Sequence, residues 1–180
     1  MTIPTVFLGM ALSGQPDDLR AAAAHFGSLG RLQTGTEITA EAFLQGIAES
    51  RYIYLSDFPA GPNGEFQVYQ GQVGLDAIAT TPVRAELVVI RAMASHAQQL
   101  ARAQAFLEAG AQLVLVLGWE IPAADVESLL PAFLAEASDR PVTADRMAFE
   151  LKGMLDAEGE PGQARYGMAT RGAFVLLSSP

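Results

Sequence analysis

Uninterrupted apolar runs recur along the chain, and they are separated by segments in which apolar residues alternate with polar ones at longer intervals. Runs of this kind predict strands that are buried on both faces of a sheet. The predicted strands are "TVFLGMAL", "GRLQTG", "RYIYLSDF", "FQVYQG", "LVVIRAM", "QLVLVLG" and "GAFVLLSS". Of these, we expect "FQVYQG" to be a short strand of a local excursion, because the turn-forming segment "PAGPNGE" comes just before it.

Between the strands, apolar residues recur at the spacing of a helix. Thr39 is predicted to cap a helix that carries Phe43 and Ile47 on one side, and Gly110 is predicted to end a later helix. Further helices are predicted to begin at Pro16, Pro122 and Thr143. Strands and helices therefore alternate along the chain.

This alternation predicts an α/β protein, a three-layer α/β/α sandwich with a mostly parallel central sheet. The length of 180 residues suits one domain. No repeat, low-complexity tract or linker divides the sequence. We therefore expect residues 1–180 to form a single domain.

Composition restricts the possible partners. The net charge is −9, and Lys152 is the only lysine, so no basic surface is expected for nucleic acid. The apolar runs are much shorter than the roughly 20 residues that span a bilayer, so no membrane is expected. The chain has no cysteine, which excludes disulfides and thiolate catalysis and predicts a cytoplasmic location.

We expect neither a metal nor a cofactor. The only histidines, His25 and His96, are far apart in sequence, which disfavours a histidine-rich metal site. The glycine-containing turns "GMALSGQPDD" and "GRLQTGT" both lack the lysine of a phosphate loop. Neither turn is therefore expected to bind a nucleotide.

Five segments, taken in order, resemble a known family. They are "RLQTGTEITAEAFLQGIAES", "RYIYLSDFPAG", "AELVVIRAMASH", "ARAQAFLEAGAQLVLVLGW" and the final "FVLL". This order resembles the CHAT domain, a bacterial family of caspase-like cysteine peptidases. The resemblance covers nearly the whole chain and implies a caspase-like fold.

The resemblance also locates the positions of the family's catalytic cysteine and histidine. The cysteine of the family follows a "LVVL" strand, and that position is Met93 in this chain; the histidine position is Phe58. Neither side chain can take part in thiol catalysis. The resemblance therefore implies a catalytically inactive pseudopeptidase without catalytic residues, which binds or regulates another protein or pairs with itself as a homodimer. If the chain is a complete protein, we expect that partner to be a separate molecule or a second copy of the chain.

The surroundings of these two positions form a predicted relic cleft. Its members are Asp57, Arg91, His96 and Trp119. Three charged residues near the strand ends, Arg91, Asp57 and Glu120, suit either an ion pair or the recognition of a charged group on a partner, although solvated charges at a rim are the commoner case. Trp119 suits a packing anchor. We expect Phe58 and Met93 to fill the cleft by direct contact. A small-molecule binding domain that uses the same cleft is one alternative.

A second alternative is a hydrolase with a non-cysteine site. Ser95 and His96 are adjacent, and Asp57 follows the neighbouring predicted strand, where it could orient the imidazole. Adjacent residues on an extended chain point to opposite sides, so Ser95 and His96 would meet only in an unusual turn. The hypothesis requires His96 within hydrogen-bond reach of a hydroxyl and a carboxylate.

Overall fold

The computed structural model describes residues 6–10, 31–92, 94–118, 143, 145–146 and 174–178. The strands in these ranges are β1 (Val6–Met10), β2 (Arg31–Thr34), β3 (Tyr52–Ser56), β4 (Phe66–Val68), β5 (Gly71–Val73), β6 (Leu87–Ala92), β7 (Leu113–Gly118) and β8 (Phe174–Ser178). The α-helices are α1 (Ala40–Glu49), α2 (Leu75–Thr80) and α3 (His96–Glu108), and a 3-10 turn spans Gly35–Glu37. The predicted α/β fold with a mostly parallel central sheet is confirmed.

Six of the strands form one sheet in the order β2-β1-β3-β6-β7-β8. Neighbours from β2 to β7 are parallel, and β8 is antiparallel to β7. The chain passes from β1 to β2 on one side and then to β3 on the other side of β1, so the topological switch point lies between β1 and β3. The carboxyl ends of the parallel strands meet at one edge of the sheet, which we call the carboxyl edge.

The central strands are buried on both faces, which explains their uninterrupted apolar sequences. All five residues of β3 are buried. Ile53 and Leu55 belong to the core cluster that also contains residues of α1 and α3. Tyr52 and Tyr54 alternate with them along the strand, and each is only 2% exposed. Neither face of β3 therefore requires polar residues.

Four phenylalanines form an aromatic cluster within this core. Phe43 lies on α1, Phe66 on β4 and Phe106 on α3, and Phe58 follows β3. Ring centroids in contact are 5.2–6.3 Å apart, mostly edge to face, which is the favoured geometry for aromatic pairs. Each side chain is at most 1% exposed, so each contributes about 1.5–3 kcal/mol through burial.

The predicted cap of α1 is confirmed. The hydroxyl of Thr39 accepts a hydrogen bond from the amide of Ala42 at 3.1 Å. Thr143 likewise accepts a bond from the amide of Arg146, as a helix cap should, although most of that predicted helix lies outside the described residues. The predicted helices that begin at Pro16 and Pro122 also lie outside them.

No helix within the ranges that the structure describes is both long enough and apolar enough to cross a membrane. The longest of them, α3, has 13 residues. Two short elements, β5 and α2, lie in a part of the chain where the sequence predicted only one short strand. Both belong to the excursion between β3 and β6.

At the amino ends of β3 and β6, Glu86 joins two neighbouring side chains. The Nε of Arg51 donates to one carboxylate oxygen at 2.7 Å, and the hydroxyl of Tyr52 donates to the other at 3.1 Å. Burial, aided by the negative charge of Glu86, raises the pKa of Tyr52 from 10.0 to about 12. The folded protein therefore retains the phenol proton at a pH where the unfolded chain has lost it.

We predict that the free energy of unfolding decreases as pH rises from 10.0 to about 12, because Tyr52 then binds its proton only in the folded state. Tyr52→Phe should remove this part of the decrease. Denaturant unfolding at a series of pH values measures the effect. An equal slope in the wild type and Tyr52→Phe would contradict it.

A second prediction concerns Gly110, which follows α3 with a φ of +110°. A Cβ at this position would lie 2.7 Å from the carbonyl oxygen of Val83, so Gly110→Ala should cost about 1–3 kcal/mol of unfolding free energy. Gly71→Ala is the matched control, because no atom lies within 4 Å of the added Cβ. Its effect should stay within about 0.5 kcal/mol in denaturant unfolding. Equal costs for the two variants would contradict the prediction.

Candidate functional site

Two of the predicted cleft residues, Asp57 and Arg91, meet at the carboxyl edge. Arg91 lies on β6 beside Ser56, the last residue of β3. Its Nη1 donates a hydrogen bond to Oδ1 of Asp57 in an ion pair. The hydroxyl of Ser56 donates to Oδ2 of Asp57 at 3.0 Å. Both carboxylate oxygens of Asp57 are therefore engaged.

The backbone of Asp57 is also tied to β6. Its amide donates to the carbonyl of Arg91 at 3.1 Å, which continues the sheet pairing by one residue. Asp57 itself has a φ of +63°, in the left-handed region that aspartate tolerates better than most residues. The strand β3 thus ends at Ser56, and the chain leaves the sheet after Asp57.

The ion pair is only partly accessible to solvent. The side chain of Asp57 is 20% exposed and that of Arg91 is 12% exposed. Water therefore screens their attraction less than it screens a surface pair, although neither charge is fully removed from solvent. The pair neutralises a carboxylate beside the switch point of the sheet, where α/β folds usually bind ligands.

Arg102 of α3 holds residues 58–65, which we call the site loop. This arginine is 0% exposed. Its guanidinium donates to four backbone carbonyls, those of Gly64 (2.7 Å), Glu65 (2.9 Å), Pro59 (3.1 Å) and Phe58 (3.4 Å). Its central carbon also lies 3.9 Å from the ring centroid of Phe66, in a cation–π contact.

Burial lowers the pKa of Arg102 to about 10, and the charge of Glu65 opposes this shift. The guanidinium therefore remains charged at neutral pH although water is excluded from it. Burying an uncompensated charge would be very costly. The carbonyl dipoles and the face of Phe66 replace the lost water, so the site loop must keep the shape that presents these groups.

Further contacts fix the rest of the site loop. One turn before Arg102 on α3, Nε2 of Gln98 donates to the carbonyls of Gly61 at 3.0 Å and Pro62 at 3.4 Å. The backbone and side-chain amides of Asn63 both donate to the carboxylate of Glu65, and these bonds lower the pKa of that group. The loop is thus ordered from both sides.

The backbone conformation of Gly64 favours a glycine in this loop. Its φ is +89°, in a region that residues with a Cβ rarely adopt. Meanwhile Pro59, Pro62 and Asn63 remain exposed. The site loop therefore presents an outer surface while its backbone is anchored inside.

The other predicted cleft residues are arranged differently. Phe58 is 1% exposed within the aromatic cluster, so it packs in the core. His96 is the exposed first residue of α3. Met93 and Trp119 lie outside the described residues. Within the described ranges, no group of three or more His, Cys, Asp or Glu side chains could hold a metal ion.

The hydrolase hypothesis is wrong. Ser95 is the N-cap of α3, and its hydroxyl accepts a bond from the amide of Gln98 at 3.3 Å. The carboxylate of Asp57 binds Arg91 and Ser56 rather than the imidazole of His96. The three residues therefore do not form a nucleophile, a base and an orienting acid.

Arg102 was missed by the sequence prediction. A signal was nevertheless present, because Arg102 lies next to Ala103 and four residues before Phe106, on the apolar side of the predicted helix. A cation on such a side indicates either a long side chain that reaches solvent or a buried partner. Only the fold identifies the partner as the backbone of the site loop.

No protein-family model and no curated protein sequence matches the chain. It is similar to the response regulator DrrB of Thermotoga maritima, an OmpR/PhoB homologue, with 15% identity and a TM-score of 0.42 over 74% of this chain and 54% of DrrB. The chain is also similar to the signal receiver domain of a putative Luxo repressor protein from Vibrio parahaemolyticus, with 14% identity and a TM-score of 0.44 over 86% of this chain and 99% of that domain. A response regulator from Burkholderia pseudomallei with a phosphorylated aspartic acid matches with 15% identity and a TM-score of 0.42, over 86% of this chain and 75% of that protein. The chain spans about half the length of DrrB.

These findings correct the assignment to the CHAT family. The similar structures named above are response regulators or a signal receiver domain rather than caspase-like peptidases, and no family model supports a CHAT domain. The caspase-like pseudopeptidase is wrong for the same reason, and so is a small-molecule domain built on a relic peptidase cleft. The interpretation of Phe58 and Met93 as a former dyad had no other basis.

We predict that Asp57→Asn lowers the free energy of unfolding by about 1–3 kcal/mol, because Arg91 loses a charged acceptor. Asparagine also tolerates the left-handed backbone, so the substitution tests the charge alone. Arg91→Gln and the double variant complete a double-mutant cycle in denaturant unfolding. The pair should show a coupling of about 0.5–2 kcal/mol. Additive single costs would show that the ion pair contributes nothing to stability.

Proposed function

We propose that this chain is a receiver-like regulatory domain that binds another protein at the carboxyl edge of its sheet. In this proposal residues 1–180 form one domain, in the cytoplasm, and the Asp57–Arg91 pair is the controlled element. The strands β2, β1, β3, β6 and β7 follow the doubly wound order 2-1-3-4-5. Folds with this order bind their ligands at the carboxyl edge, beside the switch point.

The observation that carries the proposal is the internal ion pair at that position. Asp57 directly follows β3, and its carboxylate is already neutralised by Arg91 of β6. The carboxylate of Asp57, which Arg91 already neutralises, favours control through protein contacts over chemistry at that carboxylate.

The site loop supports a binding role. Its backbone is fixed by Arg102 and Gln98, while Pro59, Pro62 and Asn63 face solvent. A loop that is ordered before binding loses little conformational entropy when a partner docks, so more of the contact energy appears as affinity. Exposed loops on a rigid scaffold are also common recognition surfaces.

We predict that Pro59→Arg, on the site loop, lowers capture of the natural partner from the native cell at least about tenfold, because it places a charge in the interface. Pro82→Arg is the matched control, since Pro82 is an exposed proline before β6, at the opposite edge of the sheet. Quantitative mass spectrometry of proteins retained by the full chain measures the effect. Equal retention by both variants would contradict a partner site on this loop.

Phosphoryl transfer to Asp57 is the second candidate function. It is favoured by the position of this partly exposed carboxylate at the end of β3, beside the switch point. In the reaction, a carboxylate oxygen of Asp57 would attack the phosphorus of an acyl phosphate and release the carboxylate leaving group. Arg91, which binds phosphate well, would then hold the product.

Incubation with acetyl phosphate and Mg²⁺, followed by intact-mass measurement, separates the two candidates. We expect no phosphoryl adduct from the protein as it stands, because Asp57 is occupied by Arg91. One adduct that disappears in Asp57→Asn would instead establish phosphoryl transfer to Asp57. That result would replace the first proposal.

A further inference from the structure

We propose that Arg102 is a positioning residue that sets the geometry of the Asp57–Arg91 pair by holding the site loop. The regulatory role of the Asp57–Arg91 pair rests on the proposed function, whereas the effect of Arg102 on the geometry of the pair does not. Arg102 touches neither Asp57 nor Arg91 through any hydrogen bond described above. Its influence passes through the backbone that follows Asp57.

The first step of the argument is proximity along the chain. Two of the carbonyls that Arg102 binds belong to Phe58 and Pro59, the two residues directly after Asp57. The peptide planes that leave the left-handed turn are therefore held at a fixed orientation. A non-glycine residue keeps such a backbone only where the surroundings enforce it.

The second step is closure of the loop around the guanidinium. The carbonyl of Pro59 accepts from Arg102 and also from the amide of Gln67 on β4. At the other end, Arg102 binds the carbonyls of Gly64 and Glu65. One side chain thus joins the start and the end of the site loop. Without it, the carbonyl of Gly64 would lose the buried donor that Arg102 supplies, whereas those of Pro59 and Glu65 would keep the backbone amides of Gln67 and Gly61.

The third step is the shape of the donor. Arginine presents five N–H groups in a planar fork, whereas lysine presents three donors at one point. The four carbonyls contact three different nitrogens of Arg102, at distances of 2.7–3.4 Å. Lysine presents its three donors from one nitrogen and could not reach all four carbonyls. Arg102→Lys therefore removes the planar fork while a basic side chain of similar length remains.

Coupling to α3 follows from the same contacts. Gln98 and Arg102 lie on successive turns of the helix and bind different parts of the loop. A displacement of the loop must therefore move α3 or break these bonds. In this proposal, the loop that follows Asp57 is therefore held to two successive turns of α3.

Hydrogen exchange of the full-length protein tests the inference. In Arg102→Lys, the amides of Asp57, Gly61 and Gln67 should exchange at least about tenfold faster, because the loop opens locally. The amides of Val83, Glu86 and Gln112, which bond to backbone carbonyls toward the amino ends of the strands, should change less than about twofold. Arg84→Lys, at an exposed arginine, is the control and should leave all six amides unchanged.

The outcomes are distinguishable. Local acceleration at Asp57 supports a positioning role, whereas equal acceleration at all six amides shows a general loss of stability and overturns it. No acceleration at Asp57 overturns it as well. If Arg102→Lys does not fold, hydrogen exchange of the wild type in low denaturant tests the inference instead. The amides of Asp57, Gly61 and Gln67 should then open with the same free energy, because they belong to one locally unfolding unit. Different opening free energies for these three amides would reject the inference.

The exchange test uses no partner, so its failure is separate from failure of the proposed function. If Arg102→Lys loosens the Asp57 amide and also lowers partner capture, both proposals are supported. If it loosens the amide while capture is unchanged, Arg102 still positions the pair, and the assignment of the pair to partner binding is rejected.

Discussion

The guanidinium of Arg102 lies fully buried between α3 and the site loop, bound to four backbone carbonyls and covered by the ring of Phe66. A buried cation tolerates few arrangements of its surroundings, because each missing acceptor leaves part of the charge uncompensated. The surrounding loop must therefore take one shape. That shape determines where the chain leaves β3, and so where the carboxylate of Asp57 lies.

The carboxyl edge combines two kinds of charge compensation. Arg102 is compensated by backbone dipoles in the interior, and Arg91 by the carboxylate of Asp57 nearer the surface. Water cannot replace a lost contact of the buried Arg102, whereas the Asp57–Arg91 pair is partly exposed. Under the proposed function, charged groups of a partner compete for this outer pair.

The failed family assignment has a physical explanation. Most of the segments that carried the resemblance to the CHAT domain include apolar strands such as "LVVI" and "LVLVLG" or the helices that cover them. Burial on both faces of a parallel sheet imposes this composition on many unrelated α/β proteins. Such segments predict that a strand is buried in the central sheet. They do not predict which functional residues follow the strand.

The sequence by itself determined the α/β class, the strands of the main sheet, the cap at Thr39 and the end of α3 near Gly110, because these depend on local periodicity and on nearby residues. Tertiary structure alone decided the strand order, the short elements β5 and α2, the meeting of Asp57 with Arg91 and the role of Arg102. These features join residues more than 30 positions apart or depend on packing against distant elements. Their energies come from burial and from bonds across the fold, which no local pattern of apolar and polar residues encodes.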